Sequence, residues 1–454
     1  MKLKNISFSV LALLPLSSAL AQKSFSVQDA VKFALENNPG VKNAKIETRM
    51  ADAKVSETIG LGLPQVSASA TLLHYPQKQA FVIENTGVPP FANPEKKVGD
   101  PIALALQLQN TFTGSLEARQ MIFNGSYLVG LKASRTFKEL SEKQLKQAKE
   151  QVAEGVLKSY YSLLVNEEKS KLLDLNISRL DSTYKETQQL FKNGFVEQID
   201  LNRLQVTLNN LKAEKQKTQR MLTLAAYFLK LQMGMSVKDS IILTSRLDET
   251  NTNGILPANP TLDYARRTDY SILQTQKSLA RLQIQNIKSG YLPSLFGLAT
   301  LGFNSAAESF PNLGNIGQRD RYVPYSYIGL NLSVPVFDGM QKKYQVAQKN
   351  LELEKINNGF KQLENAIDLE LNQANINLAN AQTNLDIQKR NLDLAKEVVR
   401  VAKVKYKQGV GSNLEVTNAE SDLKESQTNY YTALYDFMVA KIDLDKAQGQ
   451  LLPD

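Results

Sequence analysis

The side chains that could make or break bonds are few and scattered. The chain has 454 residues, one histidine (His74) and no cysteine, and its 45 Asp and Glu are interleaved with 54 Lys and Arg. Nucleophilic catalysis, metal binding and general acid–base chemistry need such groups clustered around a pocket, and no spacing here supplies that. Catalysis is therefore not expected, and neither is a metal site or a cofactor. His74 reads as a surface residue. What recurs instead is a turn. Residues 191–201 read FKNGFVEQIDL and residues 406–416 read YKQGVGSNLEV. Each has an aromatic residue, a lysine, a polar residue and a glycine, and the two lie 215 positions apart. Glycine at that place supplies the left-handed backbone that ends a helix. Ser412 to Glu415 then reads as a capping box opening the next one.

The elements that carry these turns are long. Proline is absent between Pro101 and Pro257 and between Pro335 and Pro453. Leu371, Ala374, Leu378, Ala381, Leu385, Gln388, Leu392, Ala395, Val399, Ala402 and Tyr406 step by three and four. That averages the coiled-coil period. The same phase recurs earlier through Val156, Ser159, Leu163, Asn166, Ser170, Leu173, Ile177, Leu180, Tyr184, Thr187 and Phe191. Each seam ends on the aromatic residue of its turn. Residues 126–191 as one helix would reach about 100 Å at ~1.5 Å per residue. Two antiparallel helical hairpins are expected, over 126–234 and 340–449.

Ahead of each hairpin come strand patterns. A helix closes on Leu63-Pro64 in one half and on Leu292-Pro293 in the other. Val66, Ala68, Ala70 and Leu72 alternate with polar residues, as do Ile328, Leu330, Leu332, Val334 and Val336. Leu104, Leu106 and Leu108, then Leu116, Ala118 and Ile122, read as one longer strand. Leu295 to Phe303 gives a weaker one. The strands end at Phe123-Asn124-Gly125 and Phe337-Asp338-Gly339. Barrel strands are thus expected within 65–123 and 293–337, four in all, with surface loops over 76–101 and 304–324. Phe303, Tyr322, Tyr325 and Tyr327 near the loop end suit either a membrane interface or a plain hydrophobic patch.

Residues 1–21 read as a secretory signal peptide: a basic start, an apolar stretch and Ala19-Leu20-Ala21. No cysteine follows the cut at Gln22 to carry a lipid anchor. Two repeats, 22–235 and 261–454, then flank a connector, 236–260. The net charge is +9. Its lysines and arginines alternate with acids on helix faces, so no nucleic-acid partner is expected. No apolar run of the mature chain reaches the ~20 residues of a membrane helix. Any membrane contact must use strands. Four strands cannot close a barrel alone, since about eight is the small end, and an open edge in lipid is costly. Three chains would supply twelve.

In the order and doubling of these motifs, over essentially the whole mature chain, the sequence resembles the TolC-type outer-membrane efflux protein family. The resemblance implies a mixed α and β membrane protein. Its homotrimer closes a 12-stranded β-barrel in outer-membrane lipid, continuous with a periplasmic coiled-coil tunnel. A periplasmic adaptor and an inner-membrane pump are the implied partners. Adaptor docking falls on the tips: Phe191, Gly194, Phe195 and Val196 in one half, and Gly409, Val410, Gly411 and Ser412 in the other. A gate link falls on Tyr406 and Asp200. Two lumenal carboxylates of the family correspond to Glu415 and Asn418, so one is neutral here. An arginine of the family corresponds to Gly411. A secreted coiled-coil structural or adhesive protein is the rival reading. It explains the seams but not the four strands.

Overall fold

The structure, a computed structural model, describes residues 23–105, 107–245, 247, 263–310 and 322–452. The signal-peptide reading and most of the connector's second half lie outside these residues. Two compact units emerge, and each draws segments from both halves of the chain.

The first unit holds residues 23–48, 141–274 and 358–452 among those described. It contains the tip-bearing part of helix α3 (Gly125–Lys192) and its return helix α4 (Gln198–Met233). It also contains the corresponding part of α6 (Gln341–Lys407) and its return helix α7 (Asn413–Ala447). Every seam residue expected from the sequence is buried or half-buried. Leu173 and Leu180 of α3 pack with Leu204, Leu208 and Leu211 of α4. Leu378, Leu385, Leu392 and Val399 of α6 pack with Val416, Leu423, Leu434 and Phe437 of α7. Both helical hairpins therefore form, each around its own apolar seam.

A third core in this unit was not visible in the periodicity. Strand β1 (Lys23–Phe25) pairs in parallel with β6 (Ile241–Leu243), so the start of the connector adds to the N-terminal strand. Helix α1 (Val27–Asn37), opened by a Ser26–Asp29 capping box, sets Ala30 and Ala34 against Val156, Leu229 and Met233. Tyr160 is fully buried; its hydroxyl donates to the Phe25 carbonyl at 2.9 Å and accepts from the Ser245 N–H at 3.3 Å.

The second unit comprises residues 49–140 and 275–357. It includes most of α2 (Pro39–Gly60) and of α5 (Thr268–Ser289), each followed by a Leu-Pro step into a strand. Strands β2 (Gln65–His74), β5 (Asn110–Asn124), β7 (Ser294–Ala307) and β8 (Tyr322–Ser333) form one antiparallel sheet in the order β2-β5-β7-β8. The central β5–β7 pair joins the two halves of the sequence.

Three strand expectations are corrected. The 76–101 segment is not a plain loop. It contains β3 (Phe81–Glu84), paired with β4 (Pro101–Leu104) in a separate hairpin. Buried Asn85 closes that hairpin, donating to the carbonyls of Asn93, Lys96 and Lys97 and accepting from the N–H groups of Gly87 and Asn93. Leu104 thus belongs to β4, and the long strand begins only at Asn110. The buried Asn110 amide donates to the Ala307 and Glu308 carbonyls and ties β5 to β7. Ile122 has no register partner on β7, because a bulge interrupts the pairing between Met121 and Phe123. Finally β8 stops at Ser333, short of Val334 and Val336. Pro335 has no N–H to continue a ladder.

Glu154 on α3 shows how charge supports the helical unit. Its carboxylate pairs with Lys158 at 2.8 Å and Lys446 at 3.0 Å. Burial disfavours its ionised form, but the two lysines outweigh burial and hold its pKa below the ordinary 4.5. A carboxyl lowered in the fold contributes stability above its unfolded pKa and loses it as pH falls through the folded value. Thermal melts of Glu154→Gln are expected to show lower stability at neutral pH and a shallower decline in acid than the native chain. Parallel acid limbs would refute this.

Candidate functional site

Two features are built for contact beyond the chain: the two faces of the sheet, and the two helical tips.

In an antiparallel sheet, register partners share a face and alternate residues switch face. On one face lie Val66, Ala68, Ala70 and Leu72 of β2, Leu116 and Ala118 of β5, Ala299 and Leu301 of β7, and Ile328, Leu330 and Leu332 of β8. This face is apolar yet uncovered, with Ile328 90% exposed. The other face carries Ser67, Ser69, Thr71, Thr113, Ser115, Glu117, Arg119, Thr300 and Asn304. Ser69 and Ser115 hydroxyls are 2.9 Å apart, and Arg119 stacks 4.0 Å above the Phe296 ring. An exposed apolar face of this extent, backed by a polar one, marks a surface for contact beyond the single chain. The aromatics expected together divide between the faces. Phe303 and Tyr322 lie with Phe112 on the apolar face, at ring distances of 5.4 and 5.6 Å from Phe303. Tyr325 and Tyr327 stack on the polar face. His74 sits at the end of β2, exposed, its Nδ1 2.7 Å from Asn110 Oδ1.

The tips are built alike. Gly194 and Gly409 have φ of 77° and 75°. The Gly194 N–H donates to the Phe191 carbonyl and the Phe195 N–H to that of Leu190, while Gly409 donates to Tyr406 and Val410 to Lys405. Both are the full two-bond Schellman ending. After the turn they differ. In the first tip Val196 follows, and Glu197 makes no side-chain cap. In the second, Gly411 also donates to the Lys405 carbonyl, at 3.1 Å. A Cβ at Gly411 would stand 3.0 Å from both the Tyr406 nitrogen and the Lys405 Cβ. A side chain at this position would therefore require its neighbours in the turn to give by a few tenths of an ångström. Ser412 caps α7, accepting from the Glu415 N–H at 3.1 Å. The expected capping box is only half formed. The Glu415 carboxylate pairs instead with Lys405 across the turn, at 2.5 Å. Asn418 is exposed.

The Tyr406–Asp200 link is not made within the chain. The Tyr406 hydroxyl is buried without a hydrogen-bond partner, and the Asp200 carboxylate faces Arg203 at 3.8 Å. Tyr406 packs in the α6/α7 core, where its ring is used and its hydroxyl is not. The tips are joined by Asn413, whose amide donates to the Asp200 carbonyl at 3.4 Å. Further along, a polar layer ties the two hairpins together. Glu420 on α7 receives Lys403 of α6 at 2.5 Å and Arg179 of α3 at 3.7 Å. The buried Asn176 amide donates to Gln427 at 3.0 Å, and Lys424 pairs with Glu214 of α4. Sequence reasoning missed these residues. The only signal was that polar groups interrupt apolar helix faces, which does not say which helix supplies the partner.

The model of the outer membrane efflux protein family matches residues 30–234 and 265–450. The chain belongs to that family. Among solved structures the chain is similar to the channel CusC, at 16% identity over 93% of this chain and 91% of that one, with a TM-score of 0.73. It is also similar to the CmeC outer membrane channel of Campylobacter jejuni, at 18% identity over 93% and 85% and a TM-score of 0.71. The open state of the Neisseria gonorrhoeae MtrE outer membrane channel matches at 15% identity over 93% and 88%, with a TM-score of 0.70. At these identities the likeness shows a shared fold. No curated protein matches the sequence significantly.

Two outcomes test the tip geometry. Tyr406→Phe is expected to leave single-channel opening unchanged and stability undiminished, because the deleted hydroxyl makes no bond. A changed open probability would show that the hydroxyl is used. Gly411→Val keeps the backbone N–H but crowds Lys405 and Tyr406, so the turn must shift and its extra hydrogen bond weaken, a loosening of about 1 kcal/mol. Faster trypsin cleavage after Lys405 and Lys407 would report it, and native-like resistance would argue against it.

Proposed function

We propose that the chain is the outer-membrane channel-tunnel of a tripartite efflux or secretion system. Three copies close a 12-stranded barrel, β2 of each pairing with β8 of the next. The apolar face meets outer-membrane lipid and the polar face lines a water-filled passage. The helical hairpins form the periplasmic tunnel, whose tips meet a periplasmic adaptor carrying substrate from an inner-membrane pump. Transport through the chain is passive and uses no cofactor, and nucleic acid is not a partner.

One observation carries this reading. A four-stranded sheet has one exposed apolar face and two unpaired edge strands, in a chain of the outer membrane efflux protein family. Such an edge in lipid leaves each backbone group at a cost of several kcal/mol. Edge-to-edge closure with further copies removes that cost. Among the described residues no helix is long and apolar enough to cross a membrane, so the sheet is the element suited to do so. The full chain is expected to fractionate with the outer membrane as a heat-modifiable oligomer and to conduct in planar bilayers. A soluble, non-conducting rod would instead establish the structural-protein alternative.

A further inference from the structure

Where α3, α4 and α7 meet beside the Asn176–Gln427 bond, they leave an open cavity of about 340 Å³. One water needs only ~10–15 Å³ of such space, so the cavity is of ligand size. Its walls are unequal in charge. Lys169 of α3, Lys217 of α4 and Lys424 of α7 line it against one carboxylate, Glu214. Lys424 is paired with that carboxylate, which leaves two ammonium groups in surplus. Lys217 is exposed and has no ion pair among the described residues. Lys169 is half-buried, and its one hydrogen bond among the described residues goes to the Thr432 hydroxyl at 2.8 Å. Burial pushes the Lys169 pKa below the ordinary lysine value, with only the charge of Asp436 opposing. An anion brought to such an ammonium favours its charged form.

Gln427 adds a second demand. It is 8% exposed, and its side-chain oxygen accepts from the Asn176 amide at 3.0 Å. Its own NH2 group donates to no acceptor among the described residues, and the side chain lines the cavity. A buried donor left in this way calls for an acceptor. The unmet groups on these walls, ammonium and amide, are all donors, and an oxyanion satisfies them together. The remaining wall is apolar. Leu172 and Leu173 of α3 and Met221 of α4 form it, with Met221 52% exposed. Inorganic phosphate would leave that wall in water, whereas an organic anion covers it.

We propose that this cavity binds a small organic carboxylate, its oxygens facing Lys169, Lys217 and the Gln427 NH2 group and its apolar body lying against Leu172 and Met221. The walls come from both helical hairpins, so the ligand bridges them and its binding adds to the stability of their joint. The site uses no residue of the sheet or the tips and does not rest on the channel reading.

The test is isothermal titration calorimetry on the full chain in detergent, with benzoate as the probe, benzamide as its uncharged twin and detergent alone as the blank. Benzoate is expected to bind about tenfold more tightly than benzamide. Lys169→Gln should remove about that tenfold preference, and Lys169→Arg should restore most of it. Gln427→Glu keeps the acceptor for Asn176 but replaces the donor with a like charge, so benzoate binding should be lost. Lys217→Gln, at an exposed position that leaves the fold intact, should weaken benzoate and not benzamide. Lys215→Gln, outside the cavity, should change neither. Saturating benzoate should raise the thermal midpoint of the native chain and leave that of Gln427→Glu where it is. No binding of benzoate, equal binding of benzoate and benzamide, or competition by inorganic phosphate as strong as by benzoate would overturn the inference. So would native affinity for benzoate in Gln427→Glu or in Lys169→Gln with Lys217→Gln.

Discussion

Everything in the helical unit depends on a seam with a period of three and a half residues. The helices are polar over most of their surface, and the chain's net charge is high. Isolated, such helices would have little reason to persist beyond their intrinsic propensity. What holds them is that each large apolar residue falls on one narrow stripe. Leu378, Leu385, Leu392 and Val399 are all buried against α7, and Leu204 and Leu208 against α3. One slip of register would place these residues in solvent. The seams in α3 and α6 keep phase without a slip up to their turns, which fixes where each hairpin reverses.

The sheet follows the opposite logic. Its large apolar residues are exposed, and its polar residues share the other face. In a water-soluble sheet the apolar face would be covered by helices or a second sheet. Here the apolar side chains of Ile328, Leu330 and Leu332 are left largely exposed by the described residues. This inside-out sheet agrees with membership of the outer membrane efflux protein family. Pro324 within β8 is tolerated because β8 is an edge strand in the single chain.

Most of the architecture was legible because it is written in local periodicity. Alternation marked β2, β7 and β8, three-four spacing marked the seams, and glycine marked both turns. The structure departs from the pattern where a single residue overrode it. Asn85 gathers five backbone contacts and turns a Pro- and Gly-rich stretch into a folded hairpin. Asn110 anchors the start of β5. Pro335 ends β8 two apolar residues early. At the tips, the bonds made within the chain were not legible in the sequence. Glu415 bonds Lys405, and Asn413 rather than Tyr406 reaches across to Asp200.

The sequence by itself determined the periods, the turns and the two-faced strands, because each depends on residues within a few positions of one another. Tertiary structure alone decided which strand lies beside which, that residues 241–243 pair with the N-terminal strand, and that Glu420 joins three helices. Those outcomes depend on groups far apart in the chain, 251 positions in the case of Asn176 and Gln427. A polar side chain states that it needs a partner. Only the folded chain, by fixing distance and exclusion of water, decides which partner it has.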